Sequence, residues 1–441
     1  MPVSVSFLFH FNQSWSNYTK IADLSCYRGL VDVLRRHKKL RFTLHFSGTL
    51  LESLHSMDSP TLRAVKDGVA DGQFELLGST YAQNVMAASD PFSNRLQMEQ
   101  HLETLWKFFR VKPKGFWISE RCWKQEFVKI VREFGYEYTL VEQQTLAKSG
   151  TNDVHVPHVT AVKDRQLTII NDDEPFKQLV NLAVWASDRA TYFDMPSRHL
   201  DELGRTYKKQ DAIAVYAEDA EAAGLWGYHH GAYPQPLWRN WARLLDHISQ
   251  NTPHKITSVR DFLSRVKKRI AVAKIPDGQA QWMVASLSKR GAPYHEDGYK
   301  DWFDFCASSP KLIKFRKLFS QTARAITAMR KKVRTPALRT RLNFIQRKFC
   351  TGQYEFGCIG IGKTEGSHFN KVFECREDLK RLLKESGPAD ARENSGLWIE
   401  PESGWIEREV RGNGTKPAWQ AGTWQKRRLE MPGAKTWFAR Y

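Results

Sequence analysis

Along the first half of the chain, short runs of β-branched and aromatic residues are separated by stretches in which apolar residues return every three or four positions. The runs at Val3–His10, Arg41–Phe46, Gln73–Gly78, Gly115–Ser119, Tyr136–Val141, Gln178–Val184 and Ala212–Ala217 are apolar enough to predict strands covered on both faces. Between them, Tyr27, Leu30, Val31 and Leu34 fall at i, i+3, i+4 and i+7, and so do Phe127, Ile130, Val131 and Phe134. That spacing predicts amphipathic helices, the second stopped by Gly135. Strands alternating with crossover helices predict an α/β architecture with parallel strands. Seven such units predict an incomplete seven-stranded (β/α) barrel over residues 1–255 rather than an open nucleotide-binding sheet, since no GxGxxG or P-loop occurs.

Beyond residue 255 the pattern changes to long helical periods, predicting a helical region over 256–385 that completes an active-site cleft. Residues 310–350 hold 13 Lys or Arg and no Asp or Glu. The stretch 386–441 carries 5 of the 15 tryptophans with many Gly and Pro, which predicts short strands and turns packed on something larger.

Composition narrows the function classes. Apolar residues make up 41% and charged residues 26%, which rules out collagen-like, wholly disordered and disulfide-scaffold chains. No apolar run reaches the roughly 18 residues of a membrane span, and MPVSVSFLFHFNQ reads as a strand entering the fold directly, so a cytoplasmic location and no membrane partner are expected. Six cysteines without a CxxC pair argue against a zinc ribbon and against a disulfide framework. The net charge of +19 leaves an anionic partner open. Aromatic residues do not interleave regularly with the cations of 310–350, so nucleic acid is the lesser alternative to a solvated basic face. Oligomeric state is not legible.

In such barrels the chemistry collects at the C-terminal ends of the strands. The residues there include His10, Asn12 and Gln13 after the first strand, Glu120 and Trp123 after the fourth, Glu142 after the fifth, and Glu218, Asp219 and Glu221 after the seventh. In GFWISERCW (115–123), Glu120 stands between two tryptophans, a setting that excludes water and suits the C–H face of a sugar. The alternative is a structural ion pair with Arg121 or another base. In VYAEDAEAAGLW (215–226) three carboxylates crowd together, which should raise at least one pKa; the alternative is an acidic helix start. Two carboxylates on strand ends beside tryptophan suit a retaining glycosidase, whose nucleophile and acid/base stand about 5–5.5 Å apart. No HxH or HExxH supports a metal site, and Cys122 has no evident base as a rival nucleophile.

The ordered motifs resemble those of glycoside hydrolase family 57, the group of α-amylases, 4-α-glucanotransferases and glucan branching enzymes. LFHFNQ (8–13) is similar to the first motif, GQFELLGSTY (72–81) with Glu75 to the second, GFWISERCW to the third and AEDAEAAGLW (217–226) to the fourth; IPDGQAQWM (275–283), DWFDF (301–305) and CTGQYEFG (350–357) are weaker echoes. The resemblance implies an α-glucan or oligosaccharide substrate, a retaining double displacement, no cofactor and no metal. It implies Glu120 as nucleophile and Asp219 as acid/base, with His10, Asn12, Glu75, Trp117, Trp123, Trp226 and Tyr354 as substrate-binding candidates. Two departures stand out. Asn12 and Ser14 replace the second His and the Pro of the first motif, and the fifth keeps only Cys350, Tyr354 and Gly357. They make a catalytically silent carbohydrate-binding relative the main rival reading.

Overall fold

The computed structural model describes residues 1–12, 16–185, 191–225, 237–279, 302–354 and 365–385. Its architecture is α/β, with mostly parallel strands surrounded by many helices. The strands are β1 (Ser4–Phe11), β2 (Phe42–Phe46), β3 (Phe74–Leu77), β4 (Gly115–Phe116), β5 (Tyr138–Glu142), β6 (His158–Val162), β7 (Arg165–Asp172), β8 (Ile213–Asp219), β9 (Lys255–Ile256) and β10 (Ile270–Ala271). One sheet runs β3-β2-β1-β8 with β9 also on β1, and the other β10-β6-β7-β5-β4. Every pairing is parallel except β6 with β7.

Among the described residues the sheets are linked at both sides. Gly78, just after β3, bridges in parallel to Phe116 of β4, and the Asp173 N–H after β7 donates to the Val215 carbonyl of β8 at 3.1 Å. Side chains alternate faces along a strand, so Leu8, Leu77, Tyr138, Leu140, Ile170, Ile213, Val215 and Ala217 of five strands gather with Trp117, just after β4, into one buried cluster. The helix Val259–Arg265 closes this cluster at the strand starts with Val259 and Phe262, and Val266 follows it in. Its Ser258 N-cap accepts the Asp261 N–H, while Val259 N–H donates to Thr43 Oγ1 and Arg260 N–H to Glu75 Oε2. Two of the first-turn donors of this helix thus end on strand side chains and the third on its own N-cap.

Of the seven expected strands, six are found with shifted ends. The exception is Gln178–Val184, which lies within the helix Glu174–Trp185. Phe176, Val180, Ala183 and Val184 are its buried apolar residues, at i, i+4, i+7 and i+8, so the helical period outweighs the β-branched content of the run. The sixth parallel strand of the set is instead β7, whose polar residues at both ends hide an apolar centre. Both amphipathic helices form, over Arg28–Arg36 and Phe127–Glu133, and Gly135 takes φ +85°, the left-handed turn that ends the second.

The helices Pro310–Lys332, Pro336–Gly352 and Glu365–Glu385 pack together around Phe319, Ile326, Phe349, Val372 and Leu379. Several of the cations of 310–350 meet carboxylates of other elements, Arg330 with Glu99, Arg347 with Glu52, Arg341 with Glu385 and Lys348 with Asp378. Among the described residues the cysteines are reduced and buried, and no helix is long and apolar enough to cross a membrane. The Trp-rich stretch 386–441 lies outside the described residues.

Candidate active site

The inner-face alternation continues past the apolar cluster into polar side chains at the strand ends. On β1, Leu8 is followed inward by His10; on β8, Ile213, Val215 and Ala217 are followed by Asp219; on β5 and β7, Leu140 and Ile170 are followed by Glu142 and Asp172. His10 and Asp219 are register neighbours on adjacent strands, as are Glu142 and Asp172. One rim of the strands therefore carries imidazole on one side and carboxylates on the others.

His10 is 6% exposed, stacks on Trp117 at 4.8 Å between ring centres and shares a 2.6 Å Nδ1–Nδ1 hydrogen bond with His45. Burial, then the charge of Arg121, lowers His10 to about 3, and burial with the neighbouring imidazoles puts His45 well below its usual value. Both rings are neutral at pH 7, so one Nδ1–H donates and the other Nδ1 accepts. His45 was not singled out from the sequence, although β2 ends in the same His-Phe pair as β1.

Glu120 sits in the short turn Ser119–Arg121 that follows β4, with φ 54° and ψ 17°, and Arg121 is also left-handed at φ 49°. Such a conformation costs a residue with a Cβ roughly 1–2 kcal/mol, so two in succession require compensation. Arg121 supplies it. Its Nε lies 2.7 Å from Glu142 Oε1 and 3.1 Å from Asp172 Oδ2, all three side chains being nearly buried, and its guanidinium covers the Trp117 ring at 5.2 Å. Burial holds the Asp172 carboxyl above its usual range, against the pull of Arg121 and Lys177. Ser119 on the other side of Glu120 bonds Thr80 Oγ1 at 3.0 Å and Gln83 Oε1 at 3.2 Å.

Around Asp219 the neighbouring acids divide by face. Glu218 points outward, accepting the Asp219 N–H at 3.0 Å and lying 3.9 Å from Lys177 Nζ. Glu221 is fully buried and accepts the Tyr27 hydroxyl. Burial first and the charge of Asp219 second push Glu221 up to about 8, and the same pair of causes, opposed by Lys177, raises Glu218. The expected upward shift within this acidic cluster is present.

The other candidates fall in different places. Tyr354 donates its hydroxyl to the Asn12 carbonyl at 3.2 Å, tying the fifth-motif segment to the first, and Asn12 itself is 6% exposed. Trp117, a substrate-binding candidate, is a buried inner-face residue stacked on His10. Trp123 is fully buried and donates its indole N–H to the Ile275 carbonyl, its polar handle satisfied inside the core. Glu75 lies near the strand starts, a layer below His45, where it accepts from Tyr138, Thr43 and the Arg260 N–H; there it anchors a helix rather than facing the rim that holds Asp219. Burial raises it to about 7 against those hydrogen bonds. Trp226 and Gln13 lie outside the described residues. Asp172 and Lys177, which complete the ion network, were missed because β7 and the helix after it were not recognised.

The sequence profile of glycosyl hydrolase family 57 matches residues 16–273. The 4-alpha-glucanotransferase of Thermococcus litoralis is 24% identical over 273 residues, 60% of this chain and 39% of that protein. The alpha-amylase of Pyrococcus abyssi is 24% identical over 278 residues, 60% of this chain and 40% of its own length. This chain thus spans about two fifths of these curated relatives. The crystal structure of a GH57-type branching enzyme from Pyrococcus horikoshii has the same fold, with a TM-score of 0.63 over 90% of this chain and 94% of that one at 12% identity. With a family match over more than half its length, the chain belongs to glycosyl hydrolase family 57.

Proposed function

We propose that the chain is a retaining glycoside hydrolase or transglycosylase acting on α-1,4-linked glucose chains, with Glu120 as nucleophile and Asp219 as acid/base. The two sheets act as one incomplete seven-stranded barrel, and the helices of 256–385 complete the cleft, an assignment supported by the Tyr354–Asn12 hydrogen bond. The observation that carries the reading is the continuity between the two acids. Asp219 neighbours His10 in register, His10 stacks on Trp117, and Trp117 lies three residues before Glu120 on the adjoining sheet.

The Glu120 carboxylate attacks the anomeric carbon as the glycosidic C–O bond breaks, and Asp219 gives its proton to the leaving oxygen. Asp219, now a carboxylate, takes a proton from water or from a sugar hydroxyl as that oxygen attacks the same carbon and frees Glu120, which gives hydrolysis or transfer respectively. No metal or cofactor enters. The ion pairs of Arg330, Arg341, Arg347 and Lys348 with Glu99, Glu385, Glu52 and Asp378 offset part of the charge of the basic helices, which favours a solvated basic face over a nucleic-acid groove.

Purified protein incubated with maltooligosaccharides should produce new chain lengths, and Glu120→Gln should lower that turnover by several powers of ten because no covalent intermediate forms. Turnover at the wild-type rate in Glu120→Gln refutes the assignment. Binding of oligosaccharide without turnover in either protein favours the silent binding relative.

A further inference from the structure

Resting on the assignment of Glu120 and Asp219 above, we propose that two ion groups, Arg121 with Asp172 and Lys177 with Glu218, coupled to each other by charge, form a positioning chain that fixes the two catalytic carboxylates relative to each other. The chain begins one residue after Glu120 and ends one residue before Asp219. At its first end Arg121 Nε is held by Glu142 and Asp172, neighbours on β5 and β7, at 2.7 and 3.1 Å. At its other end Lys177, on the helix Glu174–Trp185, approaches Glu218 Oε2 at 3.9 Å and pairs with Glu174. Glu218 Oε1 then accepts the main-chain N–H of Asp219 at 3.0 Å.

Between the two halves, Asp172 and Lys177 act on each other by charge. Burial pulls the Lys177 ammonium down, but Asp172 and Glu218 outweigh it and the group stays protonated. Arg121, Asp172 and Lys177 are 9%, 0% and 6% exposed, so solvent screens none of these attractions well. The main chain shows what the device holds. Glu120 and Arg121 are consecutive left-handed residues with no glycine, a state that persists only where the surroundings determine it. A guanidinium gripped by carboxylates from two strands is such a surrounding, whereas an ammonium would not reproduce its planar fork.

None of the four residues is assigned a proton or a bond in the reaction, so their loss should move kcat while leaving KM in place. Asp172→Asn and Lys177→Met should each lower kcat roughly 10–100-fold, the cost of misplacing a reacting group by about 1 Å, with KM within about twofold. Lys177→Arg, which keeps the charge, should recover most of the rate. Independently of activity, a crystal structure of Arg121→Lys should show Glu120 relaxed to negative φ; if that variant does not fold, Asp172→Asn serves for the same measurement. Glu120 φ remaining near 54° in the variant overturns the proposal. So does wild-type kcat in Asp172→Asn and Lys177→Met while Glu120→Gln is dead. Full turnover by Glu120→Gln refutes instead the assignment on which the device rests.

Discussion

Replacing Glu75 by alanine separates an anchor from a catalytic contact. In the native protein its carboxylate accepts from the Tyr138 hydroxyl, from Thr43 Oγ1 at 3.1 Å and from the Arg260 N–H at 3.0 Å, so one side chain ties β3 to β2, β5 and the helix Val259–Arg265. Alanine leaves all three donors without that acceptor. The Arg260 amide lies near solvent and can turn to water, whereas Tyr138 and Thr43 are 2% and 0% exposed. At about 1–3 kcal/mol for each buried donor left unsatisfied, the loss is roughly 2–6 kcal/mol. Unfolding entropy of about 2.1 cal/mol/K per residue makes 1 kcal/mol worth only about 1 °C in a cooperative unit of this size, so Tm should fall by roughly 2–6 °C. Differential scanning calorimetry reads the shift, and kcat on a maltooligosaccharide at 25 °C should stay within about twofold of wild type. Glu75→Gln, which keeps one acceptor oxygen, should lie between. A fall in kcat of about a hundredfold or more with an unchanged Tm would refute the reasoning and place this carboxylate against the reacting sugar.

Trp123→Ala empties a site that is fully enclosed and should destabilise the protein by about 3–5 kcal/mol, seen in the urea midpoint, with KM unchanged for the folded fraction; a raised KM at unchanged stability would favour the substrate-binding reading. Glu221 keeps its proton to about pH 8 in the folded protein but loses it near 4.5 when unfolded, so between those values the native state binds more protons and Glu221 makes stability fall as pH rises. Buried His10 and His101, lowered to about 3 and about 4, act oppositely below 6.5, so the measurement is a difference. The urea midpoint of Glu221→Gln should gain on wild type from about pH 5 to about pH 8, and a gap that does not widen contradicts the assignment.

The features legible in the sequence were those carried by local pattern. An apolar run ending in a polar residue located β1 with His10 and β8 with Asp219, and the amphipathic period located the helix Arg28–Arg36. Gln178–Val184 misled because the same β-branched residues serve a helix when their spacing is four. Tryptophans beside Glu120 suggested a sugar surface, yet Trp123 satisfies its N–H against Ile275, 152 residues later, a contact no local spacing announces. The ion network was illegible for the same reason: Arg121 meets Asp172 only because β4, β5 and β7 lie side by side.

The helix Val259–Arg265 seals strands that are made long before it. Thr43 and Glu75 wait for the amides of residues 259 and 260 until some 216 further residues have followed Thr43. At a synthesis rate of about 5–20 residues per second that interval lasts roughly 10–40 s. Until Val259 and Phe262 are made, Leu8 and Leu77 lack two of the apolar neighbours they have in the folded protein, so over that interval the nascent chain exposes apolar surface that the finished fold covers.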